Sequence, residues 1–262
     1  MIRYARLYLH FLRFAFSKAM EFRADFFFRV VMDIIIYIVH FLFFSIIYLH
    51  TPILGGWSID EMKIFIATFI FIDAFHMTFF ANNTWWFPIY INRGDLDYYL
   101  TKPVSSFFFM AFKEFAANSL LNLILAIGLL SYMISNHPVA LDLSKILVFI
   151  LLIINGSFLF FMTYFIFLIP VFWTHSPRGF GDVFYSAEKI FQRPDGIFQG
   201  FAKKVFLYFL PFSMMASYPT RYLVSPTDNS LLLEILAASC FIYFVVYLLW
   251  KKGLRNYSSA SS

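Results

Sequence analysis

Long apolar runs decide what this chain can fold into. Six segments are dominated by Phe, Ile, Leu and Val: Phe27–Leu49, Met62–Asn82, Phe107–Ile134, Leu143–Trp173, Val205–Ser217 and Leu231–Trp250. A helix needs about 20 such residues to cross the hydrocarbon of a bilayer. Only helices and closed barrels satisfy their backbone polar groups there. The first, second and sixth segments are near that length. The third and fourth are longer and are expected to tilt or to run past the hydrocarbon. The fifth is the weakest, with 13 residues, an internal Pro211 and a following Tyr218-Pro219. It could continue as a broken helix toward Val224. The expected fold class is all-α, a polytopic bundle of six transmembrane helices in one domain over residues 1–262.

Composition removes the rival classes. The chain is 61% hydrophobic and 13% charged, with 39 Phe among its 262 residues. Soluble domains carry about 25% charged residues, so a soluble enzyme, a nucleic-acid-binding module and a disordered tail are all excluded. The net charge of +5 is a matter of membrane orientation and not of nucleic-acid binding. If the N-terminus is placed inside, 17 of the 20 Lys and Arg fall on inner segments, and only Lys63, Lys145 and Arg221 fall outside. Excess Lys and Arg mark the cytoplasmic side, so both termini are expected there. Trp57, Trp85, Trp86, Trp173 and Trp250 all sit at span ends, as interfacial aromatic residues do. No cleavable signal sequence is expected, because charges run through the first 29 residues.

The first 26 residues read as an amphipathic helix at the inner leaflet. Arg3, Arg6, His10, Arg13, Ser17 and Glu21 recur at helical spacing, with Tyr4, Tyr8, Phe11, Leu12, Ala15 and Phe16 on the other side. The bland alternative is packing on other protein elements. Catalytic motifs are missing: no phosphate loop, no H-E-x-x-H, no C-x-x-C and no G-x-S-x-G occurs. The histidines show no metal-ligand spacing, and no cofactor is expected on this chain. So few charges leave room for spans and short loops but not for an ATPase domain.

Ionisable groups inside spans are functional candidates by default. Asp33 and His40 lie in the first span, Asp73 and His76 in the second. His40 and Asp73 are near the span midpoints, so a buried His40–Asp73 bond between neighbouring spans is expected. Glu114, Asn118 and Asn122 step by four and form a polar stripe on the third span, lining either an inner vestibule or a dimer seam, with plain interhelical hydrogen bonding as the alternative. Asn155 reads as interhelical glue.

Between the second and third spans the chain reads Asn92-Arg93-Gly94-Asp95-Leu96-Asp97-Tyr98-Tyr99-Leu100-Thr101-Lys102-Pro103-Val104. Gly94 and Pro103 punctuate a short helical element with acids at its start, where the helix dipole favours them. This stretch resembles the R-G-x-L-D-x-x-L-x-x-P segment of ABC transporter permeases, in particular a small six-span exporter-type family. Phe209-Leu210-Pro211-Phe212 through Tyr218-Pro219 and Tyr222-Leu223 is similar to the same family's short, proline-containing fifth span.

The resemblance implies that residues 1–26 form a connecting helix and that residues 84–106 form a cytoplasmic coupling loop. Within that loop Arg93, Gly94, Asp95, Leu96, Asp97, Leu100, Lys102 and Pro103 would meet a separate ATPase subunit. It also implies a second cytoplasmic loop over 174–204 and a re-entrant or surface segment over 218–230. The pathway would form between two permeases, a second copy or a related chain, in a prokaryotic inner (plasma) membrane. ATP and Mg would be held by the partner ATPase. The competing reading is a stand-alone ion-coupled transporter or channel that uses Asp33, Asp73 and His76.

Overall fold

The computed structural model describes residues 2–19, 23–137, 142–176, 179–201, 205, 210–224 and 229–258. Twelve α-helices are assigned among them: α1 (Ile2–Ala19), α2 (Arg23–Tyr48), α3 (Ile59–Phe79), α4 (Ala81–Arg93), α5 (Leu96–Leu100), α6 (Ser106–Phe112), α7 (Leu120–Ser135), α8 (Leu143–Leu168), α9 (Val171–Thr174), α10 (Gly179–Phe191), α11 (Phe212–Val224) and α12 (Asn229–Asn256). Two 3-10 turns, Ala117–Ser119 and Asp195–Ile197, are also found among the described residues. Among the described residues five stretches are long and apolar enough to cross a membrane: Val30–Tyr48, Ile59–Phe79, Ala117–Ser135, Leu143–Thr174 and Ser230–Asn256.

The sequence dictates where several of these begin. Ser58 and Glu61 form a capping box at α3, with the Ser58 amide donating to the Glu61 carboxylate at 2.7 Å. This satisfies amide groups that a helix start leaves unpaired. At α8, Asp142 accepts from the Ser144 amide. The Ser144 hydrogen bonds hold this exposed carboxyl below its usual range.

The spans differ in depth. α3 is the hub, buried almost continuously from Ile64 to Ile72. α2 instead exposes Ile34, Ile35, Ile38, Val39, Leu42, Phe43 and Ile46. Helices approach closely where side chains vanish. Pro219 lies inside α11 and lacks the N–H that would reach the Met215 carbonyl four residues back. That carbonyl oxygen sits 2.4 Å from where a Cβ on Gly156 would be, so α8 can pack there only with glycine. Gly253 of α12 similarly accepts the Phe172 ring, which would lie 2.4 Å from a Cβ. Asn155 bridges α8 to α12: it donates to Ser239 Oγ at 2.7 Å and accepts from the Tyr243 hydroxyl at 3.2 Å. This matches its expected role as glue.

The third apolar run is not one helix. It breaks at residues 113–116, between α6 and the turn that opens α7. The break is held from another part of the chain. Asn83 Nδ2 donates to the Glu114 carbonyl at 2.8 Å, and its Oδ1 accepts from the Glu114 amide at 2.7 Å. The Ala116 amide donates to the Thr78 carbonyl at 2.9 Å. These bonds replace the intrahelical ones that the break removes.

The fifth run also differs from expectation. Within Val205–Ser217, residues 206–209 lie outside the described residues, and α11 starts only at Phe212 and continues to Val224. Residues 174–204, expected as one inner loop, contain α10, which lies along the bundle. Phe184 stacks on Tyr164 of α8 at 4.4 Å and meets Phe212 at 5.9 Å. Beyond α10, Asp195 reaches Trp57 in the α2–α3 turn. The expectation failed because Pro177, Gly179, Gly181 and the charged residues look like a solvated loop, while the face of α10 that carries Phe184 and Gly181 is packed against α8. Lys203 and Lys204 lie outside the described residues.

α1 and the C-terminal end of α12 lie at one end of the bundle. α1 packs Tyr4, Tyr8 and Phe11 against Phe108, Phe112 and Phe109 of α6. At the end of α12, Trp250 meets Phe87, Phe107, Phe165 and Phe172. α5 lies at this same end. The α2–α3 turn lies at the other.

Candidate functional site

Three constellations stand out. The first is α5. Gly94 ends α4 in the left-handed region at φ 79°, a conformation that favours glycine. Asp95 follows as the N-cap position of α5. Leu96 is fully buried and Tyr99 nearly so, whereas Tyr98 is 62% and Leu100 45% exposed. Arg93, Asp95, Thr101 and Pro103 are exposed as well. Lys102 Nζ sits 4.0 Å over the Tyr98 ring, a cation–π contact that steadies the exposed aromatic. Asp97 is half-buried and lies near Tyr257; burial first, then the Asp97 charge, push the Tyr257 phenol up to about 12. The eight residues expected to act together are thus contiguous, but they divide into an inward anchor (Leu96), two that shape the turn (Gly94, Asp97) and an outward set.

Beneath α5 lies a network that sequence reasoning missed. Lys113 Nζ donates to the Tyr99 hydroxyl at 2.6 Å and to the Tyr90 hydroxyl at 3.2 Å. Glu114 Oε1 is 3.5 Å from the same ammonium. The signal that could have found it is a Lys-Glu pair inside an apolar run, which needs nearby partners.

The second constellation is a cavity of about 450 Å³ between α2, α3 and the start of α7, lined by Asp33, Tyr37, His40, Asp73, Trp85 and Gln192 among others. It brings three of the four expected intramembrane ionisable residues together. The bonding differs from the expected His40–Asp73 pair. His40 Nδ1 lies 2.9 Å from the Ile36 carbonyl and its Nε2 lies 3.3 Å from Gln192 Oε1. Asn122 Nδ2 donates to Asp33 Oδ2. His76 is elsewhere, buried against Phe160 at 4.7 Å, with no partner for Nδ1 among the described residues. The polar stripe is also divided: Glu114 sits in the break, Asn118 in the 3-10 turn and Asn122 in α7, so they do not share a helix face. Among the described residues no His, Cys, Asp or Glu group could hold a metal ion.

The third constellation closes the opposite end. Arg221 Nε donates to Asp195 Oδ1 at 3.0 Å and Oδ2 at 3.2 Å, and Trp57 Nε1 donates to Oδ1 at 3.2 Å. The Asp195 amide donates to Ser217 Oγ at 3.2 Å. The guanidinium carbon lies 4.6 Å over the Trp57 ring. Gly55, at φ 60°, and Gly196 meet backbone to backbone, and a Cβ on either would collide with the other. The Tyr48 hydroxyl donates to the Trp57 carbonyl at 2.8 Å. One carboxylate therefore joins the α2–α3 turn, the segment after α10, and α11.

A hub of apolar helices, a short exposed helix between two of them and a polar cavity at their side define a polytopic membrane protein. More specifically, the chain belongs to a known family: the family model described as ABC-2 family transporter protein matches residues 34–261. No curated protein and no solved structure matches. Membrane proteins of this family are transport subunits and not themselves catalytic, and they work in general with ABC ATPase partners. The ABC permease resemblance of Asn92–Val104 agrees with that membership.

Proposed function

We propose that this chain is the membrane-spanning subunit of an ABC exporter, in which two copies, or one copy and a related permease, enclose the pathway. Separate ATPase subunits, which hold ATP and Mg, dock on the α5 end. The carrying observation is the two-sided character of α5: Leu96 and Tyr99 anchor it, while Tyr98, Leu100, Arg93 and Asp95 face outward. Aromatic and Arg side chains of that kind dominate binding at protein interfaces. A rigid-body closure of the ATPases would then move a helix tied to two spans.

In this reading the α5 end and both termini are cytoplasmic, and Arg6 and Arg13 on the exposed side of α1 reach inner-leaflet headgroups. α10 with Asp195–Ile197 makes the fifth crossing, and α11 enters from the outer side as a half-helix. Arg193 moves to the outer side, and the inner side keeps the majority of Lys and Arg. The exposed apolar face of α2 meets the second permease, so the cavity of Asp33, His40 and Asp73 opens beside the pathway. The stand-alone ion-coupled alternative loses one of its three residues, because His76 is packed among aromatic rings away from that cavity.

The test is gentle purification of the chain with its ATPase. The parent protein is expected to bring an ATPase subunit, and Tyr98→Ala with Leu100→Asp to lose it while remaining monodisperse. Retention of the ATPase by the double variant contradicts the docking assignment.

A further inference from the structure

We infer that Lys113 is the positioning residue that ties α5 to the transmembrane helices, so that a displacement of α5 reaches α7 and the polar cavity. This rests on the reading of α5 as the ATPase-docking element and names the path by which docking acts. α5 has only five residues and is bounded by Gly94 and the turn at 101–105. Its backbone connections alone leave it free to rock. Its inner face presents the Tyr99 hydroxyl, and Lys113 takes it at 2.6 Å. The same ammonium holds Tyr90 of α4 at 3.2 Å and Glu114 at 3.5 Å. Tyr90 also donates to Glu114 Oε1 at 3.4 Å. α4, α5 and α6 are therefore triangulated through one side chain.

Lys113 stands at the point where α6 ends and the break of 113–116 begins. Asn83 of α4 holds Glu114 at the start of that break, and Thr78 of α3 holds its far side, accepting from the Ala116 amide at 2.9 Å and donating through Oγ1 to the Ser119 carbonyl at 3.2 Å. In the first turn of α7, Asn122 holds Asp33 at the cavity wall. Polar contacts joined by short stretches of backbone thus run from α5 to α2. A continuous helix through 113–116 would carry no such joint. The break lets α6 move with α4 and α5, to which Asn83 and Lys113 tie it, while α7 pivots on Thr78. Coupling of this kind travels through packed and hydrogen-bonded elements with two arrangements, and its proof is an equilibrium that both sites bias.

Tyr99→Phe separates the role from packing, because the ring stays against Phe109, at 5.3 Å, and only the hydroxyl leaves. Lys113→Met removes the ammonium, and Lys113→Arg keeps donors that can bridge two phenols. The experiment uses the full complex with its ATPase, in vesicles of phosphatidylethanolamine and phosphatidylglycerol, in a Cys240→Ser background. Spin labels at Tyr132→Cys on α7 and Leu233→Cys on α12, both exposed positions, report the distance change between nucleotide-free and ATP–vanadate states. Tyr99→Phe and Lys113→Met should keep the ATPase bound and hydrolysing ATP, yet shrink that distance change by about threefold or more. Lys113→Arg should keep most of it. If Lys113→Met does not assemble, Tyr99→Phe decides alone. A full distance change in Tyr99→Phe overturns the inference. Failure of the docking reading looks different: the parent chain then brings no ATPase or shows no nucleotide-dependent change, and the inference falls with it.

Discussion

The two ends of the bundle are built on opposite principles. At the α5 end, a five-residue helix hangs between α4 and α6, and its outward side chains are unsupported by other elements. At the Trp57 end, a single buried carboxylate gathers three separate parts of the chain into a closed cluster. The first arrangement suits an element that a partner grips and moves. The second suits a fixed closure, because a paired charge in a low-dielectric setting holds its geometry and is costly to disrupt. The contrast predicts that substitutions at the Trp57 end act on stability, whereas substitutions on the outer face of α5 act on assembly.

The sharpest way to break that contrast is Arg221→Met. It leaves the Asp195 carboxylate, which is 8% exposed, with the Trp57 indole as its remaining side-chain donor among the described residues. A loss of about 3 kcal/mol is expected, read as a lowered unfolding midpoint in detergent. Pairing the change with Asp195→Asn should recover part of it, because the uncompensated charge is then gone. Next comes Asn83→Ala, which strips the Glu114 amide and carbonyl of their partners at the break. About 2 kcal/mol is expected, with hydrogen exchange at Glu114 rising more than in the middle of α8. Gly156→Ala drives a methyl into the Met215 carbonyl and should cost about 1–3 kcal/mol in the same unfolding measurement. The smallest effect on stability belongs to Tyr98→Ala with Leu100→Asp. Both side chains are exposed, so a change within about 0.5 kcal/mol is expected, although the ATPase is lost. A large stability loss in that variant, or none in Arg221→Met, would dissolve the distinction between the ends.

The same contrast separates what could be read from sequence from what could not. Apolar runs such as Leu143–Trp173 announce themselves, because a bilayer demands local hydrophobicity. The α5 turn is legible because Gly94 and Pro103 act on their own neighbours. The membership in the ABC-2 family agrees with the resemblance read there. The Asp195–Arg221–Trp57 cluster was invisible, since its members come from residues 57, 195 and 221 and no local pattern links them. α10 was hidden by its charges, although Phe180, Phe184, Ala187 and Phe191 do recur at helical spacing. The break at 113–116 depends on Asn83, 31 residues away from Glu114. Depth alone pairs His40 with Asp73; in the structure the two share a cavity, but the hydrogen bonds of α2 run from His40 to Gln192 and from Asp33 to Asn122.

The central claim is that the α5 end, and not the Trp57 end, receives an ATPase. A photo-crosslinking residue at Leu100 and, in a separate protein, at Ile53 tests it directly, because both side chains are exposed and they lie at opposite ends of the bundle. In intact membranes containing the transporter, Leu100 should form an adduct with the ATPase subunit and Ile53 should form none. An ATPase adduct from Ile53, or none from Leu100 in membranes where the ATPase co-purifies with the chain, would contradict the account.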